Sequence, residues 1–305
     1  MCNVLKPDRQ KRVLYLLVEG NSIRSAERLT GIHRDTICRL VVRFGRGCKR
    51  LLDAQLRGLT LRHVEIDEIW TFVGKKQGRL TPVEKVECYD IGDVYPWTCL
   101  DKYTKLVATF VVGKRSADNA RKLMVDLSHR LVMPKPHQSD PHAYQTGGFI
   151  RITQISTDGF AAYPEAVDLA FGPYAKYGTI GKDYRNATMI YTPSEMVGTQ
   201  RTGIRGIGKG QEGSICTSHV ERLNGTQRLF LKRLNRLTLC FSKKLRNLEA
   251  AFAMFAAYYN FCWRTRKPGK SGKRRPTAAM MAKLMDHLWG FDEFFDAVLK
   301  PATQS

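Results

Sequence analysis

Eight cysteines occupy positions 2, 38, 48, 88, 99, 216, 240 and 262 of this 305-residue chain, and no two of them form a Cys-x-x-Cys pair. That absence argues against a zinc ribbon, and the scatter argues against a secreted disulfide framework, so the thiols read as reduced packing residues. Long apolar runs are also missing. The longest, residues 13–18 and 250–259, fall short of the roughly 20 needed to cross a bilayer. No signal-peptide pattern opens the sequence. The expectation is a cytosolic chain without a membrane partner. Acids are the third scarcity: 28 Asp and Glu stand against 50 Lys and Arg, a formal charge of +22. Such a surface suits a polyanion, but ribosomal and membrane-surface proteins are basic too, so motifs must decide.

Three of the few acids have distinctive settings. Asp67 closes the run Val64-Glu-Ile-Asp-Glu-Ile-Trp70, whose alternation places Val64, Ile66, Glu68 and Trp70 on one face of a strand and Glu65, Asp67 and Ile69 on the other. Asp158 ends a β-branched strand, residues 150–158, just before Gly159. Glu221 lies in His219-Val-Glu-Arg-Leu-Asn224, with Arg228 seven residues on. On a helix that spacing puts Glu221 and Arg228 on one face, two turns apart, with Arg222 and Asn224 beside them. Carboxylates at strand ends converge readily, and a helical third acid can close the cage. Hard oxygen ligands of this kind hold Mg²⁺ or Mn²⁺. Two such ions roughly 4 Å apart would support phosphoryl transfer, one activating a water or 3′-hydroxyl and the other stabilising the leaving oxygen.

The first 60 residues read as a small helical module. Val13, Leu16 and Leu17 suggest one helix; Ile23, Ala26 and Leu29 suggest a second after the Gly20-Asn-Ser22 break; Thr30-Gly-Ile32 makes a turn. A third helix from about Arg34 to Val42 buries Ile37, Leu40 and Val41 and turns Arg34, Asp35, Arg39 and Arg43 outward. This is a helix-turn-helix pattern, with Arg34, Arg39 and Arg43 as candidate DNA contacts. The segment carries 13 Lys/Arg and 5 Asp/Glu, a balance suited to phosphates.

Taken in order, Asp67-Glu-Ile-Trp70, Phe72-Val-Gly-Lys-Lys76, Thr157-Asp-Gly-Phe-Ala-Ala-Tyr163, Gly208-Lys-Gly-Gln211 and His219-Val-Glu-Arg-Leu-Asn224 resemble the bacterial DDE transposases of the insertion-sequence-one family. The resemblance runs from about Arg9 to about Glu249. It implies an α/β, ribonuclease-H-like catalytic domain behind an all-α helix-turn-helix domain. Asp67, Asp158 and Glu221 would be the catalytic, metal-binding triad, with His219 near the site and Arg222, Asn224 and Arg228 as DNA contacts. It further implies two Mg²⁺ or Mn²⁺ ions, double-stranded DNA (element ends and target) as partner, at least a dimer on DNA, and a place in the bacterial cytosol at the nucleoid. Two rival readings share much of this: a DNA-binding regulator built on a retired transposase scaffold, and a ribonuclease-H-like nuclease without strand transfer.

The linear division reads as 1–58 for the helix-turn-helix, 59–262 for the catalytic domain, with insertions near 77–96 and 160–218, and 263–305 for a basic linker and helical tail. From Arg222 to Pro276 there are 15 Lys/Arg and one acid, Glu249. There Leu245, Leu248, Phe252, Phe255 and Tyr259 form a helical stripe suited to a core. Asp101 could be a fourth acid, but reads more simply as the start of a turn before Lys102-Tyr-Thr-Lys105. The loop 134–148 holds His137 and His142 without ligand spacing. Gly203-Ile-Arg-Gly-Ile-Gly-Lys209 matches most of a phosphate-binding loop, but Gly210 stands where Ser or Thr should hold Mg²⁺, so an ATP site is not expected.

Overall fold

The computed structural model describes residues 5–133, 152–185, 188–196, 214–266 and 272–299. The helices are α1 (Pro7–Val18), α2 (Ile23–Thr30), α3 (Arg34–Gln55), α4 (Pro82–Glu87), α5 (Ala117–Arg130), α6 (Tyr163–Phe171), α7 (Ser218–Phe230), α8 (Leu245–Phe261), α9 (Ala278–Met281) and α10 (Phe291–Leu299). The strands are β1 (His63–Glu68), β2 (Thr71–Val73), β3 (Gly92–Asp101), β4 (Val107–Gly113), β5 (Thr153–Asp158), β6 (Ala175–Arg185) and β7 (Thr188–Met196). The loop at 134–148 and the glycine-rich segment at 199–213 lie outside the described residues. Among the described residues no helix is long and apolar enough to cross a membrane.

Compactness groups the segments differently from chain order. One unit joins Met1–Gln55, Ile69–Pro96 and Asn224–Ser305; the other joins Leu56–Glu68 and Trp97–Leu223. In the first, Ser22 caps α2 by accepting the backbone N–H of Ser25 at 3.0 Å, and Gly31 ends it with φ of 65°, a conformation costly for any residue with a Cβ. α3 begins at Arg34 as the pattern indicates but runs to Gln55, thirteen residues beyond Val42, because the apolar period continues through Phe44, Cys48 and Leu52. Gly45 and Gly47 obscure that continuation, since glycine is a poor helix former. Both are required by packing. A Cβ on Gly45 would sit 2.6 Å from Ala250 Cα, and one on Gly47 2.6 Å from Val298 Cγ1. α8 is buried on nearly every side, and the stripe Leu248, Phe252, Phe255 and Tyr259 is core. Phe44 meets Phe294 edge-on at 5.6 Å and stacks on Phe295 at 5.7 Å.

The second unit is a mixed sheet in the order β4-β3-β1-β5-β6-β7. β3 runs antiparallel to β1, β5 parallel to β1, β6 parallel to β5, and β7 antiparallel to β6. Parallel neighbours need crossovers, and α5 and α6 lie in the chain between β4 and β5 and between β5 and β6. β3 starts at Gly92, five residues before its apolar core 97–101. Its first residues pair with β2 and its last five with β1, and the change of partner falls at Tyr95-Pro96, where proline has no N–H for a ladder. Asp101 forms the turn that its sequence indicates, its Oδ2 accepting Thr104 N and Thr104 Oγ1, both at 2.7 Å.

The contact between α3 and α8 leaves no room for a methyl group at position 45. Gly45→Ala is therefore expected to destabilise the protein by about 1–3 kcal/mol despite alanine's better helix propensity. Thermal unfolding of the two proteins checks this, with an unchanged or raised midpoint contradicting the packing account.

Candidate metal centre

Asp67 and Asp158 approach through strand register. β1 and β5 pair in parallel with Val64 beside Ile155 and Glu65 beside Ser156. Continuing that register by two residues brings Asp67 beside Asp158 at the carboxyl ends of both strands. Ligand oxygens of Asp67, Glu68 and Asp158 all lie within 4.8 Å of one another. Asp67 is buried, and the Glu68 side chain is 4% exposed. Glu68 belongs to the opposite face of an alternating strand, yet joins the group because β1 ends there.

Tyr163 Oη donates to Glu68 Oε2 at 2.8 Å, and the Arg115 guanidinium bridges Glu68 and Asp158, reaching Asp158 Oδ2 at 3.3 Å. Arg115 also lies over the Phe160 ring, 4.3 Å from its centroid. Phe160 and Tyr163 pack in turn on buried Trp97, at 5.7 and 5.8 Å. Asp158 is further held by the turn after β5, where Phe160 N donates to its Oδ1 at 3.1 Å. Burial, followed by the neighbouring Asp158 charge, raises the Glu68 carboxyl above its ordinary pKa, and Arg115 and Tyr163 oppose that rise. Carboxylates crowded with little water are a donor set that a hard divalent cation fits.

Glu221 stands in the first turn of α7, where its Oε1 accepts Thr217 Oγ1 at 3.1 Å. It is outside the Asp67, Glu68 and Asp158 group. His219 is tied to β1: its Nδ1 lies 2.7 Å from Glu65 Oε1, while Glu65 Oε2 accepts the backbone N–H of His219 at 2.9 Å and of Val220 at 3.1 Å. Glu65 has no exposed surface. It therefore satisfies two N–H groups that the start of a helix leaves without partners, with a charge of the sign that the helix dipole favours. Glu65, Cys216 and His219 form the other group of close ligand atoms among the described residues. Further along α7, Arg222 is exposed and Asn224 buried, with Arg228 between these extremes. Arg34, Arg39 and Arg43 are exposed on α3, and Arg43 also reaches Gln10.

No protein-family model and no curated protein matches this chain. Among solved structures it is similar to a piggyBac transposase, seen by cryo-electron microscopy in a synaptic complex with hairpin DNA. The TM-score is 0.38 and the identity 11%, over 98% of this chain and 74% of that one. A likeness that distant transfers no residue's role.

Sequence reasoning missed Glu65, Glu68, Arg115 and Tyr163. The first two stood in the right motif, and a carboxylate between Val64 and Ile66 on the Asp67 face was the available signal for Glu65. Tyr163 closed the block after Asp158 without a role assigned to it, and Arg115 carried no pattern of its own. Among the described cysteines none is in a disulfide.

His63, at the start of β1, is buried with Nε2 2.7 Å from Ser156 Oγ. Burial first, then the Lys102 and His219 charges, lowers its pKa to about 4. The unfolded chain binds this proton near pH 6.5, so His63 contributes stability above that pH and loses it as pH falls toward 4. The stability of wild type relative to His63→Gln should therefore fall by about 2–3 kcal/mol between pH 7 and 4.5. Denaturant unfolding of both proteins at the two pH values measures it, and a constant difference would mean that folding does not lower the His63 pKa.

Proposed function

We propose that this chain is a DDE-type DNA transposase, with Asp67, Asp158 and Glu221 as its acids and Mg²⁺ or Mn²⁺ as its cofactor. The observation that carries the reading is the convergence of Asp67 and Asp158, with Glu68, at the ends of two parallel strands. The anchoring of the Glu221 helix to one of those strands through Glu65 supports it. So does the sheet, since three strands joined antiparallel and extended by two parallel ones are the arrangement expected of a ribonuclease-H-like domain. On this reading the chain is of the insertion-sequence-one type, and α1 to α3 form a helix-turn-helix that holds element ends.

The bound ions would activate a water or 3′-hydroxyl and stabilise the leaving oxygen at a phosphodiester. The protein's part is position and charge. Asp67 and Asp158 would supply oxygen ligands from strand ends, and Glu221, in the first turn of α7 and outside their group, would supply a third. Glu68 and Tyr163 hold the wall behind them, and Arg115 keeps a positive charge beside the carboxylates, where a phosphate would approach. Arg222, exposed one residue after Glu221 on α7, would meet the DNA backbone, with the partly exposed Arg228 further along the helix and Asn224 buried in its packing, while Arg34, Arg39 and Arg43 on α3 would contact the terminal repeat. Cutting and joining two ends calls for at least two copies of the chain on DNA, acting in the bacterial cytosol at the nucleoid.

Asp67→Ala, Asp158→Ala and Glu221→Gln are each expected to reduce Mg²⁺-dependent cleavage and joining of labelled ends from the gene's own flanks by at least about a thousandfold. Binding to those ends should survive. Cleavage by all three variants would remove the triad, and binding without cleavage by wild type would favour a DNA-binding regulator. Cleavage without joining would favour a nuclease.

Arg39 tests the other half of the reading. If α3 reads bases, Arg39→Ala should weaken binding to a terminal repeat roughly tenfold or more, and binding to random duplex much less. Equal losses in a gel-shift titration on the two duplexes would reduce Arg39 to a phosphate contact.

A further inference from the structure

Between α7 and α8 the chain makes a loop whose base is fixed and whose tip is apolar. Leu231 and Leu234 are buried at one side of the base and Ser242 at the other. Arg233 Nη1 donates to Ser242 Oγ at 2.7 Å, Thr71 Oγ1 donates to the Arg233 carbonyl at 2.8 Å, and Gly74 N donates to the Ser242 carbonyl at 2.9 Å. Phe241 packs on Phe72 with centroids 4.8 Å apart. Above this base the tip projects Leu237 at 96% exposure and Leu239 at 91%, the two most exposed large hydrophobic side chains among the described residues.

A single exposed leucine needs no explanation. Two at alternate positions on an anchored loop form an apolar point. Their surroundings identify what it fits: Lys232, Arg236, Lys243, Lys244 and Arg246 are exposed around it, and the sequence has no acid from Arg222 to Leu248. Two copies of this surface would oppose like charges, and an apolar protein partner gives no reason for the cations. A DNA duplex accounts for both, its phosphates meeting the lysines and arginines and its base steps receiving the leucines.

We propose that this loop is a wedge that inserts Leu237 and Leu239 into a base step of bound duplex DNA and unstacks it. The inference rests on the transposase reading and adds a residue pair with a defined action on the substrate. Opening a step lowers the distortion that remains before a strand can be drawn away from its complement, which strand cleavage and transfer both require.

The test uses the full chain and duplexes carrying the DNA that flanks the gene, with 2-aminopurine placed at successive positions. At saturating wild-type protein, fluorescence should rise several-fold at one or two adjacent positions. The Leu237→Ala/Leu239→Ala protein, with an unchanged melting temperature because both side chains lie outside the core, should bind the same duplexes within about tenfold and give no rise. Leu237→Met/Leu239→Met should restore it. An equal rise with the alanine pair, or no rise at any position with bound wild type, overturns the wedge while leaving the transposase reading intact. A loss of dimer mass with the alanine pair, by light scattering without DNA, also overturns it and assigns the loop to contacts between copies. Failure of wild type to bind any of the duplexes removes the transposase reading and the wedge with it.

Discussion

A carboxylate without contact with water, Glu65, holds the first turn of α7 against the middle of β1. Burying a charge is costly unless its lone pairs are met, and here two backbone N–H groups and the His219 ring meet them. The interaction satisfies both sides: the strand interior receives donors for an acid that would otherwise be stranded, and the helix receives an acceptor for N–H groups that have no partner within it. Because Glu65 is two residues before Asp67 and His219 two before Glu221, the same bond couples the positions of an acid on a strand and an acid on a helix. The proposed centre depends on that coupling more than on any single ligand.

The group at the strand ends is held in a different way. Asp67, Glu68 and Asp158 repel one another, and the protein offsets the repulsion with the Arg115 guanidinium and the Tyr163 hydroxyl. The aromatic floor of Trp97, Phe160 and Tyr163 keeps those partners in place. Such a site is stressed electrostatically but stiff mechanically, the combination suited to binding a multivalent cation without rearranging the backbone.

The same economy of charge marks the rest of the chain. Acids are few, and several of them are turned inward to structural or metal-competent positions, while the described lysines and arginines, Arg130 excepted, keep some exposure. α3 presents Arg34, Arg39 and Arg43, and the loop before α8 is fringed with cations around two exposed leucines. On the proposed reading, a surface of this composition would attract a polyanion, and specificity would come from a few shaped elements, a helix entering a groove or an apolar point entering a base step.

Local periodicity was enough to identify α2, the start of α3, the buried stripe of α8 and the strands β1 and β5, because these signals repeat within a few residues along the chain. It also indicated Asp67 and Asp158 as strand-end acids and Asp101 as a turn former. It failed where a neighbour distant in sequence decides the outcome. Gly45 and Gly47 look like helix breakers until Ala250 and Val298 approach them, and β3 begins before its apolar core because β2 offers its early residues a partner. Glu65 and His219 lie 154 residues apart, Glu68 and Tyr163 95, Arg115 and Asp158 43. The sequence by itself determined which residues could serve chemistry, since residue type and local pattern are properties of the chain. Only the tertiary structure decided which of them meet, because parallel strand pairing and the capping of α7 from β1 bring together groups that no local period connects.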